Sequence, residues 1–133
     1  MQPDSIFTKI IKGEIPSYKI YEDDKTLAFL DIHPVQPGMV LVVPKTQVET
    51  FMDLPDEDYI AFWQTVKKVG QRLRQKFPSK KRIAIQVEGL EVPHLHAKLF
   101  PFDTADEFRA TKPNAELGAN YESLAELAKL LEF

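Results

Sequence analysis

The stretch Pro93-His94-Leu95-His96-Ala97-Lys98-Leu99-Phe100-Pro101 decides how the chain is read, because polar and apolar residues alternate across it. Alternate side chains of a strand share a face. A strand over His94–Phe100 therefore turns Leu95, Ala97 and Leu99 into a core and projects His94, His96 and Lys98 from the other side. Two imidazoles and an ammonium in a row suit an anion. An imidazole can attack phosphorus or move a proton near neutral pH, while an ammonium offsets oxyanion charge. The same pattern also fits two half-exposed strand histidines with no chemistry, so the flanking sequence has to decide.

Working outward, Arg82-Ile83-Ala84-Ile85-Gln86-Val87 reads as a second strand, joined to the first through Glu88-Gly89-Leu90-Glu91. Before it, a long helix runs from near Pro55 to about Phe77, with Asp56, Glu57 and Asp58 at the positive end of its dipole. Tyr59, Phe62, Trp63, Val66, Val69 and Leu73 recur at helical spacing and form one apolar stripe, with Trp63 as a core anchor. Further upstream, Tyr18–Glu22 and Thr26–Ile32 are strand-forming runs separated by Asp23-Asp24-Lys25, which predicts a hairpin. Pro34, Pro37 and Gly38 then lead into Met39-Val40-Leu41-Val42-Val43, whose unbroken apolar run predicts burial on both faces before Pro44 closes it. Ile6, Phe7, Ile10 and Ile11 behind Asp4 or Ser5, with Gly13 as a stop, predict a short N-terminal helix. Tyr121 to Leu131 predicts a C-terminal one. The expected fold is α+β: about five strands, mainly antiparallel, with one long helix and a short helix at each end.

At 133 residues the chain is expected to be one domain, 1–133, with a helical tail from about 119. A charged fraction of 28%, an apolar fraction of 44% and a formal net charge of −3 describe an ordinary globular composition and give no support for a nucleic-acid platform. The basic run Lys67, Lys68, Arg72, Arg74, Lys76, Lys80, Lys81 and Arg82 falls at helical spacing and reads as a solvated face. There are no cysteines, which excludes disulfides and cysteine-based zinc sites and fits a reducing compartment. No segment approaches a membrane span, and the N-terminus lacks the apolar core of a signal peptide, so a cytoplasmic location is expected.

The blocks Ser5-Ile6-Phe7-Thr8-Lys9-Ile10-Ile11-Lys12-Gly13-Glu14-Ile15-Pro16, Tyr21-Glu22-Asp23-Asp24, Leu27-Ala28-Phe29-Leu30-Asp31-Ile32 and Gly38-Met39-Val40-Leu41-Val42-Val43-Pro44-Lys45, followed by His94–Phe100, resemble the histidine triad (HIT) superfamily, specifically its small Hint-type nucleotide-binding branch. The resemblance covers nearly the whole chain and implies a HIT-like fold. It implies that His96 is the nucleophile, attacking the α-phosphorus of a nucleotide derivative to form a nucleotidyl-histidine that water hydrolyses. It implies that the backbone carbonyl of His94 holds the far ring nitrogen of His96, so that the other nitrogen faces phosphorus. It places Ile6, Phe7, Ile10, Phe29 and Ile32 around the base and Asp31 under the ribose hydroxyls. The implied ligand is a purine nucleotide or nucleoside monophosphate conjugate, with no cofactor, no metal and no membrane. A homodimer is also implied, with the long helix and the strand Arg82–Val87 pairing across a twofold axis.

Three positions depart from the family's pattern. Lys98 replaces the third histidine of the signature, Met39 replaces the histidine after Gly38, and Gln47 stands where Pro-Lys-x-His is usual. Lysine can still donate to a nonbridging oxygen, but it is a flexible point charge and a poor proton donor near pH 7. Loss of an imidazole at Met39 is expected to loosen the nucleophile's orientation. The loop before the signature, Gly89 to Pro93, carries no assignable phosphate-binding hydroxyl; Gln86 is a candidate polar contact, and His33 reads as an exposed loop residue. Two further readings therefore stand beside the hydrolase. One is a nucleotide-binding module whose turnover has been lost; the other is a metal site on His94 and His96, which lacks a third ligand at suitable spacing.

Overall fold

The computed structural model describes residues 2–113 and 121–133. Its centre is the unbroken apolar run predicted to be buried on both faces. The strands are β1 (Lys19–Glu22), β2 (Thr26–Leu30), β3 (Val40–Pro44), β4 (Arg82–Glu88) and β5 (His96–Phe102). They form one sheet in the order β1-β2-β3-β5-β4, antiparallel throughout, and every residue of β3 is buried. The helices are α1 (Ile6–Ile11), α2 (Asp56–Lys76), α3 (Ala105–Arg109) and α4 (Tyr121–Leu131). The α+β expectation holds. The expected start of the C-terminal tail near residue 119 lies outside the described residues.

Period-2 alternation gives the sheet two faces. On one, Ala28, Leu30, Val40, Val42, Ala97 and Leu99 pack with Phe62, Val66, Val69 and Leu73 of α2 and with Leu124, Ala128 and Leu131 of α4. The Arg72 guanidinium fastens α4 there, donating to the carbonyls of Leu131 at 3.0 Å and Glu132 at 2.9 Å, so this member of the basic run is structural and not merely solvated. On the other face, Leu27, Phe29, Leu41 and Val43 pack under Phe7 of α1. The register Leu41↔Lys98↔Gln86 and His96↔Glu88 sets four polar side chains on that same face.

Several boundaries differ from those expected. β5 begins at His96, not His94, because the backbone just before it is committed elsewhere: His94 N–H donates to the Val92 carbonyl and Leu95 N–H to the Val48 carbonyl. β4 extends through Glu88, which the sequence reading assigned to the connecting loop. Tyr59 faces outward, and the buried stripe of α2 also includes Thr65, whose hydroxyl pairs with that of Thr26 at 2.7 Å. Trp63 is only partly buried, and Phe62 is the fully enclosed aromatic anchor. A 3-10 turn at Phe51–Asp53 and helix α3, closed by a Thr104/Glu107 capping box, had no periodic signal long enough to read. Gly13 ends α1 at φ +80°, the left-handed conformation that a glycine stop supplies.

Candidate active site

The site is assembled from four segments: α1, the end of β2 with Asp31 beyond it, the end of β3, and the β4–β5 hairpin. Gly89 lets the hairpin seat itself. A Cβ on this residue would lie 2.0 Å from the Glu49 carbonyl oxygen, so only glycine permits the close approach.

His94 is fully buried and His96 is 3% exposed. The His94 Nε2 lies 2.8 Å from the Pro44 carbonyl oxygen, which can only accept, so Nε2 carries the hydrogen. The Nδ1 of His94 is then an acceptor for the Ser5 hydroxyl at 2.7 Å. His96 Nδ1 lies 2.8 Å from the His94 carbonyl oxygen, which by the same logic places its hydrogen on Nδ1 and a lone pair on Nε2. Burial pushes both imidazoles below the ordinary histidine value. For His96 the nearby Lys98 charge adds to this, while the His94 carbonyl, Glu88 and Asp31 act the other way. Both rings are thus held neutral near pH 7, and that of His96 presents a nucleophilic nitrogen.

That nitrogen looks toward charge. Glu88 lies with one carboxylate oxygen 4.0 Å from His96 Nε2 and the other 3.4 Å from Lys98 Nζ. Phe7 forms the apolar wall, its ring centroid 5.0 Å from that of His96, 5.7 Å from His94 and 5.7 Å from Phe29. Ile10 packs against this cluster. The structure therefore brings together Phe7, Ile10, Phe29, His94 and His96. Asp31 is close enough for its charge to act on His96, and its carboxylate accepts the His33 N–H at 2.8 Å. Ile6 and Ile32 are exposed at the surface, as is His33.

Met39 lies in a separate apolar cluster with Ala84 and Phe100, and the partners that hold the two imidazoles are Ser5 and the carbonyls of Pro44 and His94. Gln47 accepts the Ser5 N–H at 2.8 Å and the Thr8 hydroxyl at 2.6 Å on its Oε1. Gln86 sits opposite Lys98 in the hairpin, its amide 3.5 Å from the Phe108 carbonyl. Sequence reasoning missed two members of this group. Ser5 read only as a helix cap, and its partner His94 is 89 positions away, beyond any local pattern. Glu88 was readable in principle, because carrying the hairpin register back from the turn sets it opposite His96. Among the described residues, no group of three or more His, Cys, Asp or Glu side chains is placed to share a metal ion, and no helix is long and apolar enough to cross a membrane.

The five-stranded antiparallel sheet thus carries a neutral histidine pair, one ring oriented by the other residue's carbonyl, beside a lysine paired with Glu88. The HIT domain matches residues 12–105, and the chain belongs to that family. An uncharacterized HIT-like protein of Borreliella burgdorferi is 36% identical over 132 residues, covering 94% of each chain. An adenosine 5′-monophosphoramidase of Candida albicans is 37% identical over 108 residues, covering 72% of this chain and 68% of the relative. The crystal structure of a Hit-like protein from Bartonella henselae superposes with a TM-score of 0.82 at 29% identity, covering 98% of this chain and 96% of that one.

Proposed function

We propose that this chain hydrolyses nucleoside 5′-phosphoramidates or related mononucleotide conjugates at the α-phosphorus through a nucleotidyl-His96 intermediate, as the Hint-type branch of its family would. The observation that carries this reading is the neutral His96, with Nδ1–H on the His94 carbonyl and the Nε2 lone pair facing the Lys98 and Glu88 side. Attack by Nε2 forms the N–P bond as the P–N bond to the leaving amine breaks, and the amine takes its proton from solvent. The His94 carbonyl accepts a stronger hydrogen bond as the imidazole gains positive charge. Water then attacks phosphorus, the P–Nε2 bond breaks, and the proton that water releases balances the one taken by the amine.

Lys98 leaves Glu88 for a nonbridging oxygen, Asp31 accepts from the ribose hydroxyls, and Ile6, Phe7, Ile10, Phe29 and Ile32 line the purine. A phosphoramidase relative supports the substrate class. The reading needs no metal or cofactor and takes residues 1–133 as one domain in the cytoplasm, a compartment the lack of cysteines fits. It also includes a homodimer formed through α2 and β4. β4 is a sheet edge whose Ile85 is 40% exposed, and its sequence Arg82 to Glu88 is self-complementary about Ile85: an antiparallel second copy sets Arg82 opposite the acidic end.

The test is the intact mass of the protein after brief incubation with adenosine 5′-phosphoramidate, together with AMP release. An adduct of one adenylyl group, or steady AMP formation, that disappears in His96→Ala is the expected result. AMP binding without either signal would replace this reading with a binding module, which the pairing of Lys98 with Glu88 in place of a histidine favours. Lys98→His separates the two, since a large gain in rate marks a site that had lost its chemistry.

A further inference from the structure

The polar atoms behind His94 form a chain in which the Ser5 hydroxyl meets two acceptors, His94 Nδ1 at 2.7 Å and Thr8 Oγ1 at 3.3 Å, the imidazole being the nearer. The Gln47 amide nitrogen donates to the Pro3 carbonyl at 2.9 Å and to Gln2 Oε1 at 3.2 Å, which fixes its oxygen on the other side. That oxygen takes the Ser5 N–H and the Thr8 hydroxyl. With the Thr8 hydroxyl so committed, the Ser5 oxygen accepts the Thr8 N–H at 3.0 Å and has its own hydrogen left for His94 Nδ1 at 2.7 Å. His94 Nε2–H closes the chain on the Pro44 carbonyl. Ser5 and His94 are both buried, which shields the bond between them from water, while Thr8 and Gln47 are half-buried.

We propose that Ser5, held by Gln47 and Thr8, is a positioning residue for His96: its hydroxyl donates to His94 Nδ1, fixes that ring between Ser5 and Pro44, and so keeps the His94 carbonyl aimed at His96 Nδ1–H. The inference rests on His96 being the nucleophile. Pinning both nitrogens of the His94 ring pins the residue that carries the carbonyl, because its backbone is already tied to Val92 and its neighbour Leu95 to Val48. With the carbonyl in place, His96 cannot move its proton to Nε2 without losing its partner, and Nε2 stays a lone pair. Ser5 also opens α1, whose Phe7 touches both imidazoles, so the wall proposed for the base and the nucleophile share one anchor.

Ser5→Ala and Ser5→Thr test this in the full-length protein. Three quantities are measured: kcat for adenosine 5′-phosphoramidate, Kd for AMP, and the ring-nitrogen shifts of His94 and His96 by 15N NMR. Removing the hydroxyl is expected to lower kcat about ten-fold, the lower end for losing a group that orients a reacting side chain, with AMP affinity changed less than two-fold. The His94 Nδ1 resonance should move and His96 should populate its other tautomer. Ser5→Thr, which keeps the hydroxyl, should restore all three. Unchanged ring-nitrogen shifts in Ser5→Ala overturn the inference. So does a loss of AMP affinity as large as the loss of kcat, which marks a helix cap only. If the native chain forms neither adduct nor AMP, the hydrolase reading falls, while the nitrogen shifts still decide whether Ser5 sets the tautomer of His96.

Discussion

The two faces of the sheet are cut from the same five strands yet are held together differently. The face under α2 and α4 is apolar but for one buried hydroxyl pair, Thr26 with Thr65, and is filled by Phe62, Leu73, Val40, Val42 and Leu131. The face under α1 contains buried histidines that stay in place only because each ring nitrogen facing the protein meets a partner. Apolar packing tolerates approximate neighbours, whereas a buried polar chain fails at any missing member. Substitutions on the first face should therefore be read in stability, and substitutions on the second in chemistry.

The sharpest way to break that contrast is to pair Phe62→Ala with His96→Ala. Phe62 is fully enclosed, so its truncation should cost about 3–5 kcal/mol in denaturant unfolding. His96→Ala should lose turnover altogether while costing less stability than Phe62→Ala. A His96→Ala protein destabilised as much as Phe62→Ala would mean that the second face, too, is chiefly structural. Next in size is Gly89→Ala. The added methyl meets the Glu49 carbonyl, and moving that backbone should cost about 1–3 kcal/mol and displace Glu88 from His96. Native-like stability with unchanged activity would show that the hairpin is not held by this contact.

A smaller effect is expected at Glu88, whose carboxylate pairs with Lys98, the side chain proposed to meet phosphate. Glu88→Gln frees the ammonium, and AMP should bind about two- to five-fold more tightly, in line with the strength of an exposed ion pair. Isothermal titration measures this directly. Weaker binding would instead assign Glu88 to holding Lys98 in its binding position.

The apolar face was legible in the sequence and the polar one only in part, for a physical reason. Val40–Val43, Leu95, Ala97, Leu99 and the stripe from Phe62 to Leu73 announce themselves through periods of two and 3.6 residues, and each period is a local property. His94, His96 and Lys98 could be singled out because they share such a period. Their partners could not, since Ser5 and Pro44 reach His94 from distant segments and follow no spacing. The alternation that singled out His94 also misplaced it: strand pairing starts at His96, and His94 sits in the turn before it, fully enclosed.

The histidine pair should also leave a mark on stability, in a pH window that no other cited group occupies. Burial lowers the affinity of His94 and His96 for protons in the folded chain, while in the unfolded chain both return to about 6.5. Below that value the unfolded chain binds protons that the folded chain refuses, so stability falls as pH drops through 6.5 toward the folded values. The carboxylates act later. Glu22, held down by Lys19 and Lys45, and Asp58, held down by the Thr46 hydroxyl and Lys25, lose their contributions only below about pH 4.5. Between pH 7 and 5 the thermal midpoint should therefore decline, and His96→Asn should flatten that decline because one of the two imidazoles no longer titrates. An equal slope in His96→Asn would mean that His96 takes up its proton in the folded chain as readily as in the unfolded one, and then the second face is wetter at the nucleophile than its burial indicates. If the proposed hydrolysis holds, the same shift predicts that kcat/KM is level from pH 8 to 7 and falls only below about 6.5, as the lone pair on Nε2 is lost.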